Sequence, residues 1–257
     1  IIISPLNGQF EFKEDRYLVC KSEPNKDEFD KLLFVRRDIK EFSVPSNIKI
    51  ISSYAFADCE NLLKVEIPKN SNLQTIGSSV IDNTKIESIF VPSNVSKICE
   101  FAFSGCKNLL KVEIPPDSNL QTIEPYVFSS SNIESIFIPS KVSKICKSAF
   151  SGCKNLLKVE IPPDSNLQTI EPYAFSSSNI ESIFIPSKVS KICKSAFSFC
   201  KNLLKVEIPT DSNLQRISSD AFSYSKIEEI YFPASLKELK EGWCCGTEKL
   251  KKITISP

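Results

Sequence analysis

Histidine is absent from the 257 residues of this chain, and so is methionine. Without histidine, a hydrolase triad lacks its usual base and a zinc site lacks one of its commonest ligands. Glycine is scarce as well, with six residues, and none of them lies in a loop of the kind that binds phosphate groups. These absences argue against most hydrolytic enzymes and against nucleotide-binding enzymes.

The chain also lacks net charge and long apolar runs. Its 32 Lys and Arg residues balance 31 Asp and Glu residues, which removes a bulk attraction to nucleic acid or to an anionic membrane. No apolar run approaches the roughly 20 residues that a membrane-spanning helix needs. The sequence begins without a leader and ends in KKITISP, so we expect a fragment of a longer protein whose targeting signals lie outside it.

What the chain has in abundance is repetition. The stretch SKICKSAFSGCKNLLKVEIPPDSNLQTIEPY at 143–173 recurs almost unchanged 47 residues earlier, at 96–126. Each 47-residue block divides into two halves that share L/I-x-x-V/I-x-I-P followed by AF, so the true period is 23 or 24 residues. A period of this length built on L-x-x-L-x-L is typical of leucine-rich-repeat solenoids, in which stacked units bury a common core.

The fold class predicted is therefore a leucine-rich-repeat solenoid. We expect a curved right-handed coil with a parallel β-sheet on its concave face and short helical or irregular segments on the convex side. Each strand should end at a proline, and the sheet should extend about 43 Å at about 4.8 Å per strand. The predicted strands are 42–44, 65–67, 89–91, 112–114, 136–138, 159–161, 183–185, 206–208, 230–232 and 253–255.

The interior and the ends of the solenoid can also be anticipated. Residues 1–37 do not fit the repeat and are predicted to form an N-terminal cap, with a hairpin turn at Asn7-Gly8; residues 38–257 are predicted to form about ten units. The phenylalanines of the AF dipeptides should stack inside the coil. They are Phe56, Phe103, Phe128, Phe150, Phe175, Phe197 and Phe222.

The repeat pattern AFxxCxxLxxVxIP resembles that of the BspA-like, or Treponema-type, leucine-rich repeat family. The matching residues in one copy are Ala102, Phe103, Cys106, Leu109, Val112, Ile114 and Pro115, and the set recurs from Ala149 and from Ala196. The resemblance covers roughly residues 38–257. It implies a cell-surface or secreted protein of bacteria or mucosal protozoan parasites that binds host matrix proteins such as fibronectin and fibrinogen.

The last unit departs from the family pattern. Cys244 occupies the Phe position and Thr247 the Cys position, and we expect Trp243 to fill the resulting space.

Alternation of side chains along a strand places an aromatic residue outward in every second unit. These residues should be about 10 Å apart, separated by glutamates and edged by lysines. They could merely shield the backbone ladder and pack on neighbouring side-chain stems, or they could form a recognition strip for a protein partner. The predicted contact residues are Phe90, Phe137, Phe184, Tyr231, Glu113, Glu160, Glu207, Lys111, Lys158 and Lys205.

From this strip we predict a non-catalytic binding module, and the alternative is a structural or self-associating scaffold without a foreign ligand. The carboxylates recur every second strand, too far apart to act as an acid–base pair on one bond. A sulfated glycan could use two stacked lysine triplets, although a solvated surface is the simpler interpretation of them. The triplets are Lys141, Lys144, Lys147 and Lys188, Lys191, Lys194.

The cysteines are predicted to be buried thiols. Cys106, Cys153 and Cys200 recur at intervals of 47 residues, or two strands, and about 10 Å exceeds the reach of a disulfide. A bridge within one unit, such as Cys146 to Cys153, stays open. No C-x-x-C pair occurs in the repeats, so neither a zinc site nor another cofactor is expected.

Overall fold

The computed structural model describes residues 7–25 and 27–256, and the regular structure among them consists of twenty-two short β-strands. Most of them pair in parallel and enclose one continuous hydrophobic core. The chain is a parallel β-solenoid of about ten coils, where a coil is one unit of 23 or 24 residues. The leucine-rich-repeat solenoid predicted from the sequence is confirmed.

The N-terminal part consists of two consecutive antiparallel pairs, formed by β1 (Phe10–Lys13), β2 (Tyr17–Cys20) and β3 (Lys31–Val35). The turn between β1 and β2 is made by Glu14 and Asp15, whose φ angles are 53° and 49°. Two successive residues at positive φ are typical of a type I′ hairpin turn, whose twist matches that of the strands.

The predicted hairpin turn at Asn7-Gly8 stays a prediction, because the strand that would precede it falls within residues 1–6, outside the described residues. Asn7 lies three residues before β1, and its Oδ1 accepts hydrogen bonds from the N–H groups of Gln9 at 2.9 Å and Phe10 at 3.2 Å. An asparagine side chain that bonds the backbone two or three residues on is common at the start of an element, which the sequence signal does not distinguish from a hairpin turn.

Ten strands, one per coil, lie side by side in four hydrogen-bonded groups of two, four, two and two strands, and we call them together the front sheet. Each begins one residue before its predicted start, because the outward Lys, Ser or Glu also joins the ladder. The strands are β4 (Glu41–Ser43), β6 (Lys64–Glu66), β8 (Ser88–Phe90), β10 (Lys111–Glu113), β12 (Ser135–Phe137), β14 (Lys158–Glu160), β16 (Ser182–Phe184), β18 (Lys205–Glu207), β20 (Glu229–Phe232) and β22 (Lys252–Ile255).

Nine two-residue strands form two further parallel ladders, three strands in the first and six in the second. They are β5 (Ile50–Ile51), β7 (Thr75–Ile76), β9 (Lys97–Ile98), β11 (Thr122–Ile123), β13 (Lys144–Ile145), β15 (Thr169–Ile170), β17 (Lys191–Ile192), β19 (Arg216–Ile217) and β21 (Glu238–Leu239). At the N-terminal side β3 pairs in parallel with β5. We propose that β1–β3 act as the cap of the solenoid, since β3 occupies an edge that would otherwise present unpaired backbone groups.

The AF segments contain no helix within residues 7–25 and 27–256, which corrects the expectation of short helical segments. The N–H groups of Phe150 and Gly152 donate to the next coil, to Ala174 O at 2.7 Å and to Ser176 O at 2.8 Å. The N–H group of Ser151, between them, donates three residues back to Ser148 O at 3.2 Å, as in a β-turn. Because every second donor leaves the segment, a ladder of i→i−4 bonds cannot form.

Six of the seven AF phenylalanines stack in a continuous ladder, which confirms most of the predicted interior stack. Neighbouring ring centroids lie between 5.0 and 5.5 Å apart. The ladder consists of Phe103, Phe128, Phe150, Phe175, Phe197 and Phe222. Phe56 is buried but not stacked with them, because Ile81 lies in the intervening coil; it packs edge-on against Phe42 at 5.5 Å.

Trp243 closes the ladder at its C-terminal side. Its ring is buried and packs edge-on against Phe222 at 6.3 Å and against Phe232 at 5.2 Å. The tryptophan thus fills the space that the substitution of Cys244 for phenylalanine leaves, as the sequence predicted.

Candidate functional site

The outward side of the front sheet, which we call the front face, carries the predicted contact residues. Parallel pairing places Phe90 beside Glu113, Phe137 beside Glu160 and Phe184 beside Glu207, in the register that the alternation predicted. The inward positions between them are taken by buried valine and isoleucine. Phe90, Phe137, Phe184 and Tyr231, which we call the aromatic row, are half-buried, and none belongs to the core cluster.

The lysines of the front face pair with glutamates of the same strand. Four strands read KVE, and we call their coils KVE coils; the distances from Nζ to Oε1 include 2.6 Å for Lys111–Glu113 and 2.8 Å for Lys205–Glu207. Lys158–Glu160 pairs in the same way at 2.5 Å, and Lys64–Glu66 is a fourth such pair. Because all these side chains are about half exposed or more, the pairs add little stability but neutralise each other's charge.

The front face also has shallow hollows where a smaller side chain lies between two KVE coils. One hollow of about 440 Å³ surrounds Ser88 and Phe90, and another of about 330 Å³ surrounds Ser135 and Phe137. A third, of about 450 Å³, lies beside Tyr231 towards the C-terminal side. Three of the four coils that carry the aromatic row therefore border a hollow.

A second row of apolar side chains borders the front face, and the sequence did not predict that these side chains are exposed. Leu63, Leu157 and Leu204 are exposed by 55%, 48% and 53%, and Leu110 at the equivalent position is half-buried. We call these four the leucine row. Each is the second leucine of NLLKVEIP or its equivalent, directly before a KVE strand, and this fixed position was the signal in the sequence.

Backbone hydrogen bonds align the leucine row with a row of glutamates. The Leu157 N–H donates to Glu134 O at 2.9 Å, and the Glu181 N–H donates to Leu157 O at 3.3 Å. The next leucine continues the pattern, since the Leu204 N–H donates to Glu181 O at 2.9 Å. Exposed leucines thus alternate with exposed glutamates, one side chain per coil. In the coils between KVE coils the front face reads Glu, Ser, Phe, and we call these SIF coils.

The lysine triplets proposed for a sulfated glycan are mostly engaged with their own neighbours. Lys141 Nζ lies 2.8 Å from Asn119 Oδ1, and Lys188 Nζ lies 2.6 Å from Asn166 Oδ1. Lys144 pairs with Glu171 at 3.2 Å, and this carboxylate raises the pKa of the lysine. Lys147 lies over the ring of Tyr126 at 5.9 Å, while Lys191 joins β17 and Lys194 is exposed. Four of the six ammonium groups would have to exchange a partner to bind an anion.

The cysteines are free thiols throughout the described residues, and the Cys146–Cys153 bridge that the sequence left open is not formed. Cys153 Sγ donates to Phe128 O at 2.9 Å, and Cys200 Sγ donates to Phe175 O at 3.1 Å. Burial raises the pKa of Cys200 to about 12 and that of Cys153 to about 11. These thiols are protonated and inert at neutral pH, and they act as small apolar side chains.

Residues 7–25 and 27–256 contain no cluster of Cys, Asp and Glu side chains suited to hold a metal ion. Over the same ranges, no helix has the length and apolar character needed to cross a bilayer.

A sequence profile for the BspA type leucine rich repeat region matches the chain in six copies, over residues 27–157 and 121–251. Together these ranges include nearly all of the solenoid. No match was found among curated protein sequences.

Solved structures share the fold at low sequence identity. The T. pallidum leucine-rich repeat protein is 20% identical, with a TM-score of 0.57 over 94% of this chain and 91% of that one. The pneumococcal vaccine antigen PcpA is 18% identical, with a TM-score of 0.57 over 97% and 82%. A leucine-rich repeat protein from Bacteroides ovatus is 18% identical, with a TM-score of 0.53 over 95% and 92%.

Proposed function

The chain belongs to the BspA-type leucine-rich repeat family, and from this premise we propose that it is a non-catalytic binding module that recognises a protein partner through its front face. Repeat proteins of this kind present long, rigid surfaces rather than deep catalytic clefts. The hollows on the front face are shallow and lined by Lys, Glu, Ser and aromatic side chains, which suits contact with another protein.

The observation that carries the proposal is the aromatic row. Four aromatic rings recur on one face, every second coil; the three phenylalanines each pair with a glutamate of the next strand, and Tyr231 pairs with Thr254. Aromatic residues dominate the energetics of protein interfaces because they bury large areas at low entropic cost. Lys111, Lys158 and Lys205, with Glu113, Glu160 and Glu207, would supply the polar surroundings that select the partner.

Magnitudes indicate that a single front face binds weakly. Full burial of four aromatic side chains contributes about 6–12 kcal/mol, and about half of that is available because the rings are already half-buried. Association costs about 4–15 kcal/mol in lost freedom. Tight adhesion therefore needs further contacts or many copies on one surface, so that effective concentration compensates for weak individual binding.

We propose a host matrix protein, such as fibronectin or fibrinogen, as the partner, and the cell surface or the secreted fraction as the location. The family resemblance supports both. Among proteins of similar fold, one from Faecalibacterium prausnitzii is described as a leucine rich cell surface protein, and PcpA is described as a vaccine antigen.

The test is adhesion of the double variant Phe137→Ser, Phe184→Ser to immobilised fibronectin and fibrinogen. We expect binding to fall at least about tenfold, because two of four aromatic contacts are lost. The matched control is Tyr54→Ser, Tyr173→Ser, which removes two exposed aromatics beside the AF turns and should bind normally. Unchanged adhesion of the first variant, with an unchanged unfolding midpoint, would remove the proposal.

A further inference from the structure

The pitch of the solenoid matches the spacing of side chains along an α-helix. Successive rings of the phenylalanine ladder lie between 5.0 and 5.5 Å apart, which measures the rise per coil. In a helix, residues that alternate by three and four positions face the same side and advance about 5.3 Å on average. A helix lying along the solenoid axis would therefore present one side chain to each coil.

Other extended partners do not have this spacing. A β-strand presents a same-side residue about every 6.7 Å, so it loses register with the coils after two or three of them. A polyproline II segment presents one about every 9.3 Å, which meets the leucines of every second coil but leaves the glutamates between them without a partner.

The width of the front face also suits a helix. The leucine row lies just before the front strands and the aromatic row at the third strand position, so the two rows are three positions apart, which spans at most about 10 Å. A helix with its side chains is about 10–12 Å across. Between the two rows lie the exposed serines Ser88, Ser135 and Ser182, and the hollows at Ser88 and Ser135 leave room for a side chain to enter.

The charge that remains free between successive leucines of the leucine row is negative. The glutamates of the KVE strands pair with their own lysines, such as Glu160 with Lys158. Glu87, Glu134 and Glu181 are exposed and form no ion pair with any residue of 7–25 or 27–256. They lie between successive leucines, so a partner that follows the row meets apolar and acidic groups in strict alternation.

We propose that the front face binds a basic amphipathic α-helix that lies along the solenoid axis, an inference that rests on the proposed binding function of this face. Apolar side chains at every seventh position of the helix contact the leucine row and reach into the hollows beside the aromatic row. Lysine or arginine side chains midway between them meet Glu87, Glu134 and Glu181. The partner is therefore a protein segment with heptad-spaced apolar residues and interleaved basic residues.

The probe is a labelled synthetic peptide of four heptads with Leu at position a, Lys at position d, and Ala and Gln elsewhere. As a helix it extends about 42 Å, close to the length of the front sheet. Fluorescence anisotropy with the whole chain measures its affinity. We expect it to bind at least about tenfold more tightly than a peptide of the same composition with Leu and Lys distributed around the helix.

Charge reversal tests whether the exposed glutamates select a basic partner. The variant Glu134→Lys, Glu181→Lys should bind the basic peptide about tenfold more weakly and should gain affinity for a peptide with Glu at position d. The matched control, Glu100→Lys, Glu241→Lys, makes the same change in net charge at exposed positions beside the AF turns, and its affinities should stay unchanged.

Three outcomes would overturn the helix proposal: equal binding of the shuffled peptide, no reversal of preference by the front-face variant, or tighter binding of a peptide with proline at every third position. The proposed function fails separately. If Phe137→Ser, Phe184→Ser lowers adhesion to a matrix protein while the helical peptide does not bind, only the helical partner is wrong. If that variant changes nothing, the front face itself is not the binding surface.

Discussion

At the scale of the residue, the buried thiols show how the core treats polar atoms. Cys153 and Cys200 each donate to the carbonyl of a ladder phenylalanine in the preceding coil, and each has a serine hydroxyl close to its sulfur, Ser131 at 3.7 Å and Ser178 at 3.5 Å. Cysteine thus fits a position that is buried in the hydrophobic core but also faces a backbone carbonyl group. Burial therefore favours the protonated form of these thiols in the folded state.

This preference predicts that stability falls in alkaline solution. Burial raises the pKa of Cys106 and Cys200 to about 12, from an unfolded value of 9.0. Below pH 9 both states are protonated, so the thiols contribute no pH dependence. Between pH 9 and pH 12 the folded state holds protons that the unfolded state has lost, and the free energy of unfolding should decrease by about 1 kcal/mol per thiol per pH unit.

Urea unfolding at pH 8, 9 and 10 measures this slope. Lysines ionise over part of the same range, so the control is the variant Cys106→Ala, Cys200→Ala, in which the lysine contribution is retained. The variant should be less stable at pH 8 because two buried side chains are shortened, but it should lose less stability on going to pH 10. Parallel pH profiles for the two proteins would contradict the prediction.

Residue-level sequence reasoning succeeded for the aromatic row and failed for the leucine row for one physical reason. Within a strand the faces alternate, so Phe184 lies opposite the buried Ile183 and Ile185. Leu157 has the same parity as the buried Val159, which by alternation would place it inside. The strand begins only at Lys158, however, so Leu157 lies outside the segment to which the parity rule applies.

At the scale of the element, the AF segment requires two left-handed residues in nearly every coil. One directly precedes the Ala-Phe dipeptide and the other comes two residues after the phenylalanine, as Tyr173 (φ 60°) and Ser177 (φ 60°) do around Ala174–Phe175. Left-handed φ costs an L-residue about 1 kcal/mol, whereas glycine adopts it freely. The sequence did not predict this turn, because bulky residues such as Tyr173 seldom adopt a left-handed backbone and so do not indicate one.

At these positions, replacing another residue by glycine should raise the free energy of unfolding, and replacing glycine by another residue should lower it. Ser177→Gly removes an exposed side chain at φ 60° and should raise the free energy of unfolding by about 0.5–1 kcal/mol. Gly105→Ala adds a Cβ at φ 71° where no atom lies within 4 Å, so only backbone strain acts, and stability should fall by about 1 kcal/mol.

Chemical denaturation measures both changes. Ser151→Gly is the control, since this residue lies in the same kind of segment but not at positive φ, and the exchange should destabilise the protein. If Ser177→Gly were also destabilising, backbone strain would not be the controlling factor in the AF segments.

At the scale of the whole molecule, the 47-residue block of two coils is the repeating unit. The strand of an SIF coil pairs closely with the next KVE strand, as β12 does with β14 over three residue pairs, whereas β10 and β12 share the single pair Lys111–Ser135. The spacing between front strands alternates accordingly between 23 and 24 residues. A buried position three residues after the AF phenylalanine alternates between cysteine and serine from one coil to the next, with the same two-coil period.

Two deletions should separate the block from the single coil. Removal of residues 132–178 deletes one complete block, and the shortened protein should fold with free thiols and a smaller dependence of stability on denaturant. Removal of 155–178 deletes one coil and brings Cys153 and Cys200 into neighbouring coils, about 5 Å apart, which is within the range of a disulfide.

Intact mass and thiol titration after exposure to oxidised glutathione distinguish the two proteins. Only the single-coil deletion should lose thiols. It also brings Cys146 and Cys193 into neighbouring coils, so the loss should be two thiols for one bridge or four for both. Bond formation in the parent chain or in the block deletion would contradict the alternation on which the prediction is based.

The sequence was sufficient for the architecture of the molecule and not for all of its surface. Stacked units must share one register, so the repeat length and the alternating valines and isoleucines determine the front sheet and its core. The side chains of the AF turns and the leucines before the strands depend on local backbone geometry, which no period-two or repeat rule specifies. The outward placement of the aromatic row was therefore predicted from the sequence, and that of the leucine row was missed.

The placement of the single tryptophan at one end of the phenylalanine ladder has a consequence for optical measurements. Trp243 contacts only the last rings of the stack, so its fluorescence responds to the final coils, while the near-ultraviolet circular dichroism of six stacked phenylalanines reflects the interior of the array. Melting curves recorded with these two signals coincide only when the solenoid opens as a single cooperative body. Fraying from the C-terminal side would shift the emission signal to lower temperature and leave the dichroism unchanged.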